Sequence, residues 1–505
     1  MRIRHRTGCI NSQLTFRRAI SRRVERYNHG CSIRFCSMSR TQRIRDPVHD
    51  LIVFEERDDL DQTAWELLGT PEFQRLRGIK QLGVSEFVYP GATHSRFAHS
   101  IGVFFNARRL LKLIRREIAA GRVEGEFDEA RANIAVLAAL LHDVGHGPFS
   151  HAFETARKAV AEGRGIKGPL KKHEAWSASI IENEDGNIFN ILNRVPGRAK
   201  AIADLLLAET PTDMYHAIVS SSFDADRLDY IQRDRYMSGI GLGVIDLTWL
   251  LDNVRVASID VTAPSNDAAV PVYTHSFCLG YKGREAAEDF LLARYRLYTN
   301  VYLHKTTRGM EQLLTALFRA VAEEVGKENY DALGMGMENP LAKFLSPKGE
   351  TLPNYLQLDD AVVWGAIDAL SRCKVPRISE LALRLRTRQR PLALDIQTEF
   401  PESSENQRRA RHRIEQQFRS KIGVSVFRDE ARLTIYGTIG ADDEKAQKRL
   451  MIQLRHKDLK EITEFKDTAI AANNLDRTFL RYYFLDESDF NAATDAMKDV
   501  GKGHR

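Results

Sequence analysis

A nearly unbroken apolar run, Ala135 to Leu141, leads directly into a histidine and an aspartate. Such a run predicts a helix that is buried on most of its faces. Burying His142 and Asp143 at its end is unfavourable unless a cation or a hydrogen-bond partner compensates their polar atoms. Gly145 and Pro148 then break the helix and let the backbone approach whatever binds there. The run therefore predicts a helical core that ends at a polar site, and a divalent metal suits the histidine–aspartate pair.

His146 adds a further imidazole four residues after His142, on the same face if the helix continues for one more turn. An isolated His-Asp dipeptide is ordinarily a core histidine that is hydrogen-bonded to its neighbour. Here three histidines, an aspartate and two glycines lie between residues 142 and 151, and this density favours a metal site.

A metal site needs further ligands, and two other segments offer them. His99 lies at the start of a predicted amphipathic helix, and residues 221–234 contain four aspartates. Two imidazoles with two carboxylates suit manganese, iron, nickel, cobalt or zinc, and leave positions for water and substrate. Spacing alone does not choose among the aspartates, which are Asp224, Asp226, Asp229 and Asp234.

Six segments between residues 43 and 306 carry motifs in a specific order. They are RIRDPVHDLIVF (43–54), GTPEFQRLRGIKQLGVSEFVYPGATHSRFAHSIGV (69–103), LLHDVGHGPFSHAFE (140–154), HEAWS (173–177), DADRLDYIQRD (224–234) and RYRLYTNVYLHKT (294–306). Together they resemble the HD superfamily of metal-dependent phosphohydrolases. Within it, they are most similar to the deoxynucleoside triphosphate triphosphohydrolases, which include dGTPase-like bacterial enzymes and the SAM-and-HD-domain enzymes.

The resemblance implies a role for each matched residue. Metal ligands are matched by His99, His142, Asp143 and Asp226, the last because it directly precedes the basic residue of the family's D-(K/R)-x-D-Y pattern. Acid/base and α-phosphate-contacting residues are matched by His146, Glu154 and His173. Triphosphate-binding residues are matched by Arg96, His151, Arg227, Arg294 and Lys305. Groups around the sugar 3′-hydroxyl are matched by Gln81, Tyr230 and Asp234, and the tyrosine beneath the ribose by Tyr302.

The implied reaction is hydrolysis of a deoxynucleoside triphosphate to deoxynucleoside and inorganic triphosphate. It would use one tightly held transition metal, with Mg²⁺ on the substrate phosphates. A metal lowers the pKa of its bound water from about 15.7 to about 7 and polarises a phosphoryl oxygen. Arginines neutralise the polyphosphate, and a histidine donates a proton near neutral pH. One departure concerns the base: the family's histidine four residues after the matched arginine is Tyr298 here.

Two other functions remain open at this point. A different HD phosphohydrolase would act on a nucleotide monophosphate, a cyclic dinucleotide or a guanosine polyphosphate, although Gln81, Tyr302 and the arginines argue against it. A non-catalytic nucleic-acid-binding regulator is disfavoured by the complete metal set. Nucleic acid is therefore not a predicted partner, although salt-dependent binding of single strands would support it.

The resemblance also has implications for regulation and assembly. In the SAM-and-HD-domain enzymes an aspartate before the T-P-x-F-Q-R-L-R segment reads guanine at an activator site between subunits. Gly69 stands at that position here, so guanine-specific activation is not expected. Arg77 matches an activator-contacting arginine, and an activator site that tolerates any purine or takes a dNTP stays open. The rest of the segment is well matched, and we expect a homodimer or a homotetramer.

The predicted fold class is mainly α, a helical HD core with a smaller C-terminal α+β lobe. Helical periods dominate residues 62–325, and strand-like alternation is scarce before about residue 390. We place the core at 41–330, a connecting helical region at 331–390 and the lobe at 391–505. Within the lobe we predict strands in 392–400, 424–437 and 478–486, and helices at 404–423 and 487–501.

Residues 1–40 contain ten arginines and a single acidic residue, a charge of +9 in a chain of +6 overall. An arginine-rich, acid-poor head is typical of a transit peptide or a nucleic-acid-binding arm. Because fold-like sequence begins near Arg43, just after Met38, we favour a disordered extension or an upstream start codon. Scattered cysteines without zinc-ligand spacing fit a reducing cytoplasm, and no apolar run is long enough to predict a membrane helix.

Overall fold

The computed structural model of the chain describes residues 40–502, except 209, 242, 261–271, 436, 440–448 and 473–475. All of the predicted basic extension but Arg40 lies outside these residues. Helices dominate the described chain and small sheets accompany them, which confirms the predicted fold class.

Most helices of the first part of the chain pack around the apolar run 135–141, which is buried throughout, whereas the helices that begin at His151 and Lys305 belong to a second core. The helices of this part are α1 (Asp59–Leu68), α2 (Pro71–Gln74), α3 (Arg96–Ala119), α4 (Glu129–Leu141), α5 (His151–Gly163), α6 (His173–Ile181), α7 (Asn187–Leu192), α8 (Arg198–Leu207), α9 (Ala225–Ser238), α10 (Leu247–Asn253), α11 (Arg284–Leu297) and α12 (Lys305–Gly326).

Side-chain caps define where the two central helices begin. Asp128 accepts a hydrogen bond from the backbone N–H of Arg131 at 3.0 Å at the start of α4, and Ser95 caps α3. Such caps satisfy N–H groups that have no partner within the helix. Because α3 packs against both α4 and α9, the start of α3 meets the end of α4 in the interior.

The region predicted as a connection is helical and contributes to the second core. Its helices form this core together with α12, and one of them, Leu352–Leu356, also contacts α6. They are α13 (Tyr330–Leu333), α14 (Pro340–Leu345), α15 (Leu352–Leu356), α16 (Asp360–Leu370) and α17 (Pro376–Arg386).

Two hairpins interrupt the helical core. β1 (Gln42–Asp46) pairs with β2 (Asp50–Phe54), and β3 (Val254–Asp260) pairs with β4 (Tyr273–Gly280), both antiparallel. The expectation that helical periods dominate through residue 325 is therefore wrong at the second hairpin. In β3, buried Val254 and Val256 flank the partly exposed Arg255, a two-residue period too short to stand out among helical neighbours.

The C-terminal strands divide between two sheets. One sheet has the order β5-β10-β6-β7, and α19 and α21 pack beside it. Its strands and helices lie close to the predicted ones, but the predicted strand 392–400 is wrong beyond Asp395. There the Asp395 side chain accepts from the Thr398 amide and caps a short helix, Ile396–Glu399. The other sheet has the order β3-β4-β8-β9, in which Leu279 of β4 pairs in parallel with Ile452 of β8. The elements are β5 (Leu392–Asp395), β6 (Val426–Thr434), β7 (Gly437–Ile439), β8 (Met451–Gln453), β9 (Leu459–Glu461), β10 (Arg477–Phe484), α18 (Ile396–Glu399), α19 (Ser404–Gln417), α20 (Ala469–Ala472) and α21 (Glu487–Lys502).

The chain thus returns from the C-terminal lobe to complete a sheet of the helical core. Among the described residues, no helix combines the length and the apolar character needed to cross a membrane.

Candidate metal centre and cleft

Three helices bring a compact group of potential metal ligands together. His99 lies in the first turn of α3, His142 directly follows α4, and Asp226 lies in the first turn of α9. One ligand atom from each lies within 4.8 Å of the others. Nε2 of His99 is 3.0 Å from Oδ1 of Asp226, and Nε2 of His142 is 3.7 Å from the same oxygen.

Asp143 borders this group from the end of the apolar run. Its Oδ1 lies 3.2 Å from Nε2 of His142, and its Oδ2 lies 3.7 Å from Nε2 of His99. Burial acts to raise the pKa of Asp143, but the guanidinium of Arg96 and the neighbouring histidines hold it well below its usual range. Asp143 therefore remains an ionised carboxylate.

The charge distribution around His99 favours a cation. Burial acts to lower the pKa of His99, yet bonds to Asp226 and Asp229 outweigh it and raise the pKa to about 10. Its Nε2 is buried and forms no well-aligned hydrogen bond within the described residues, although carboxylate oxygens surround it. The carboxylates that favour a proton on this nitrogen would equally favour a divalent transition metal in its place, and imidazole with carboxylates is a donor set that such a metal uses. The residues therefore fit the metal that the HD pattern implies.

The structure gives the four aspartates of residues 221–234 four different environments. Asp224 caps α9 by accepting from the backbone N–H of Arg227 at 2.8 Å. Asp226 faces the ligand group, with its side chain 37% exposed. Asp229 and Asp234 are buried; Asp229 contacts the far ring nitrogen of His99, Nδ1, and Asp234 contacts His94. Of these aspartates, only Asp226 joins His99 and His142 in the compact group.

Asp229 connects the metal ligand His99 to the N-terminal hairpin. Its Oδ2 lies 2.7 Å from Nδ1 of His99, and its Oδ1 lies 2.6 Å from Nε2 of His49. Arg233 donates to both carboxylate oxygens and also to Asp46, at 2.8 to 3.2 Å. This buried network fixes the ring orientation of His99, as carboxylates commonly do for metal-binding histidines.

Three histidines and a glutamate form a second cluster beside the centre. The ring of His146 stacks on that of His173 at 3.9 Å between centroids, and Nε2 of His146 is 3.3 Å from Asp143. Glu154 accepts from the backbone N–H of His173 at 2.9 Å, and the same oxygen lies 2.9 Å from Nδ1 of that ring. His151 is exposed and lies 3.4 Å from the other oxygen of Glu154.

The two buried histidines of this cluster have opposite proton affinities. Burial, followed by the charges of Arg96 and His173, holds the pKa of His146 well below its usual value. Burial also acts to lower the pKa of His173, but the bond to Glu154 and the charge of Glu174 raise it overall. Of these two histidines, His173 is therefore the one that holds a proton more readily.

One face of α9 extends from the metal ligands along a row of polar side chains, and the space beside this face is the candidate substrate cleft. Asp226, Tyr230 and Asp234 follow one another at four-residue intervals and share that face. The hydroxyl of Tyr302 donates to Asp234 at 2.6 Å, and Nε of Arg294 donates to the Tyr230 hydroxyl at 3.1 Å. Along the helix, Asp226 and Asp234 are separated by about 12 Å.

The other matched residues occupy diverse positions. Oε1 of Gln81 is buried and has no hydrogen-bond partner in the part of the chain that the structure describes. Arg96 is buried and donates to Asp143 at 2.5 Å, whereas Arg227 pairs with Asp224. Lys305 is exposed at the start of α12. Gly69 ends α1, and Arg77 lies over the ring of Phe97 at 3.5 Å.

Several residues of the site have no distinctive sequence signal. Arg75 donates to the backbone carbonyls of Val144 and His146, and the Tyr355 hydroxyl donates to that of Gly145. Asp360 accepts from the backbone N–H of Phe149. Tyr355 and Asp360 lie in the region predicted as a connection. Their partners are backbone atoms distant in sequence, so no sequence pattern marks these contacts.

Comparison with known proteins is consistent with this geometry. A family model described as HD domain matches residues 96–234. The uncharacterized protein YwfO of Bacillus subtilis is 32% identical over 354 residues, which make up 70% of this chain and 71% of YwfO. The deoxynucleoside triphosphate triphosphohydrolase SAMHD1 of Bos taurus is 28% identical over 325 residues, 58% of this chain and 50% of that protein. A crystal structure of a phosphohydrolase from Bacteroides thetaiotaomicron is 26% identical with a TM-score of 0.65, covering 88% of this chain and 98% of that one.

Proposed function

Because this chain belongs to the HD superfamily of phosphohydrolases, we propose that it hydrolyses deoxynucleoside triphosphates to deoxynucleoside and inorganic triphosphate. The observation that carries this proposal is the continuous face of α9, which joins the metal ligand Asp226 to Tyr230 and Asp234. A substrate with a phosphate at one end and a sugar at the other fits such a cleft.

The metal centre would hold its ion through His99, His142, Asp143 and Asp226. When bound, the metal activates water and polarises a phosphoryl oxygen, and Mg²⁺ would accompany the substrate phosphates. Arg96, buried against Asp143, keeps that carboxylate ionised and oriented. Triphosphate binding is proposed for His151, Arg227, Arg294 and Lys305.

His173 is the proposed proton donor. Nδ1 lies 2.9 Å from Oε1 of Glu154, and Nε2, 3.5 Å from Oε1 of Glu174, is the nitrogen proposed to deliver the proton. A water oxygen adds to the α-phosphorus, the bond from that phosphorus to the 5′-oxygen breaks, and the 5′-oxygen takes a proton from His173. The proton that the water gives up passes to solvent, from which His173 regains its own. General acid catalysis of this kind typically contributes a factor of about 10²–10⁴. His146, neutral and stacked on His173, is placed to contact the reacting phosphate.

Sugar selection is assigned to the far end of the cleft. Oε1 of Gln81, which is buried and has no hydrogen-bond partner among the described residues, and the Asp234 carboxylate would bind the 3′-hydroxyl, with Tyr302 beneath the ribose. A site built to hydrogen-bond one hydroxyl strongly rejects analogues that leave its polar groups unpaired. A 2′-hydroxyl against the Tyr302 ring would be excluded by contact.

A different HD phosphohydrolase activity is the second candidate. The SAMHD1 relatives match only about half of their own length, and YwfO carries no functional name. A nucleotide monophosphate or guanosine polyphosphate would also use the metal centre and His173. It would not require Tyr302 and Asp234 to hold a deoxyribose, so the two candidates differ at that end of the cleft.

The test is chromatography of the products formed from each dNTP and each matching NTP. Chelator-stripped and Mn²⁺-loaded protein are compared, with Asp143→Ala as the inactive control. We expect metal-dependent release of triphosphate from dNTPs at rates orders of magnitude above those for NTPs. Equal rates on ATP and dATP, or release of orthophosphate or pyrophosphate alone, would refute the assignment.

A further inference from the structure

Asp360 occupies a buried position between two segments that lead into the cleft. Its Oδ1 accepts from the backbone N–H of Phe149 at 2.8 Å, and its Oδ2 accepts from that of Lys80 at 3.0 Å. Phe149 lies two residues before His151, and Lys80 directly precedes Gln81. One carboxylate therefore joins the chain segments proposed to bind phosphate and sugar.

The backbone at the first of these segments is strained. Phe149 and Ser150 both have positive φ angles, 55° and 58°, a region that non-glycine residues rarely adopt. Such a conformation persists only where surrounding contacts hold it. Asp360 supplies one of these contacts directly, because it binds the Phe149 amide.

A chain of hydrogen bonds continues from these segments to the metal centre. The Ser150 hydroxyl donates to the Lys80 carbonyl at 2.9 Å and accepts from Nε of Arg96 at 2.8 Å. Arg96 in turn donates to Asp143. Displacement of the Lys80 or Ser150 backbone would therefore move the guanidinium that holds a metal-binding carboxylate.

We propose that Asp360 is a positioning residue for phosphate hydrolysis, which holds the 149–151 turn and the 80–81 segment in register with the metal centre. The identity of the substrate rests on the proposed function. The claim that Asp360 holds the two segments in place does not depend on that function. The charged groups that act on Asp360 include Lys80, Asp359 and Arg75, and burial raises its pKa to about 6. At pH 8 the carboxylate is ionised and accepts from both amides.

The principal variant is Asp360→Asn, which keeps the shape of the side chain but replaces one acceptor with a donor that faces an N–H group. The matched control is Asp359→Asn, because Asp359 caps the same helix through the Val362 amide and asparagine also caps well. Both proteins are assayed at pH 8 in the metal-loaded form, with dATP as substrate.

We expect kcat of Asp360→Asn to fall at least tenfold, with KM changed less than threefold and metal content unchanged. Amide exchange should accelerate in peptides covering 79–83 and 144–152 and nowhere else. The control should match the wild type in both measurements. A purely structural role would instead accelerate exchange throughout the core and lower the unfolding midpoint.

If the wild type hydrolyses no nucleotide, the proposed function fails, and the exchange measurement still decides the role of Asp360. Wild-type exchange and wild-type kcat in Asp360→Asn would overturn the proposal. Should that variant not fold, Ser150→Gly removes the connecting hydroxyl at a backbone position where glycine is unstrained. Wild-type kcat in Ser150→Gly would equally refute the connection to Arg96.

Discussion

Replacing Asp229 with asparagine tests whether the metal centre depends on groups that never touch the ion. Asp229 is fully buried and has four polar contacts, one with His99, one with His49 and two with Arg233, at 2.6 to 2.9 Å. Asn removes the charge and directs an amide N–H₂ toward donors, while the volume of the side chain is conserved.

Two magnitudes follow from these contacts. Groups that orient a metal-binding histidine typically contribute a factor of about 10–100 in metal affinity, or roughly 1.4–2.7 kcal/mol. Breaking a buried ion pair typically costs about 3–5 kcal/mol when the remaining charge is uncompensated. Arg233 keeps its bonds to Asp46 in the variant, so we expect the loss of unfolding free energy to lie at the lower end, about 3 kcal/mol.

The assay is calorimetric titration of chelator-stripped protein with Mn²⁺, together with urea unfolding of the same samples. Asp128→Asn is the matched control, because Asp128 caps the helix that leads to His142 but lies at its opposite end. A metal dissociation constant within twofold of wild type in folded Asp229→Asn would refute the reasoning. It would show that His99 is oriented without the buried network.

Three further predictions concern other parts of the site. Asp143→Ala should lose bound metal and all hydrolysis while remaining folded, whereas His146→Ala should keep its metal and lose most turnover; metal analysis beside the activity assay distinguishes them. Glu154→Gln should shift the alkaline limb of the rate–pH profile to lower pH, because Glu154 raises the pKa of His173 and the acid works only while protonated; an unmoved limb would remove His173 as the acid. Hydrolysis of dATP should need no GTP, because Gly69 offers no side chain to a guanine edge. Light scattering should show a homodimer or homotetramer with or without GTP. A strict GTP requirement coupled to tetramer formation would contradict this prediction.

The metal-ligand group was accessible from the sequence because its chemistry is local and its order is specific. His142 and Asp143 adjoin an apolar helix, and Asp226 precedes an arginine in a patterned segment, so residue type and spacing indicate the candidates. Their close approach in the structure depends on the packing of α3, α4 and α9. Hydrophobic periodicity predicts α4 as a buried helix and α3 as an amphipathic one, but makes no such prediction for α9.

The supporting contacts were not accessible, for a physical reason. Asp360 and Tyr355 act on backbone amides and carbonyls, which every residue possesses, so no side-chain pattern marks the partner. Asp229 was recognised only as one of four candidate ligands, because spacing does not say which way each carboxylate turns. The β3–β4 hairpin was missed because its stability depends on strands that come from much later in the chain.

That late pairing has a consequence for biosynthesis. Leu279 and Ile452 are about 170 residues apart, so their pairing closes a long loop and raises the contact order of the fold. At a synthesis rate of about 5–20 residues per second, roughly 10–35 s pass between their appearances. During this interval the nascent β4 strand has an open edge, which is a template for pairing with other chains. Slow elongation or an early stop before Ile452 should therefore favour aggregation and chaperone capture over an active shortened enzyme.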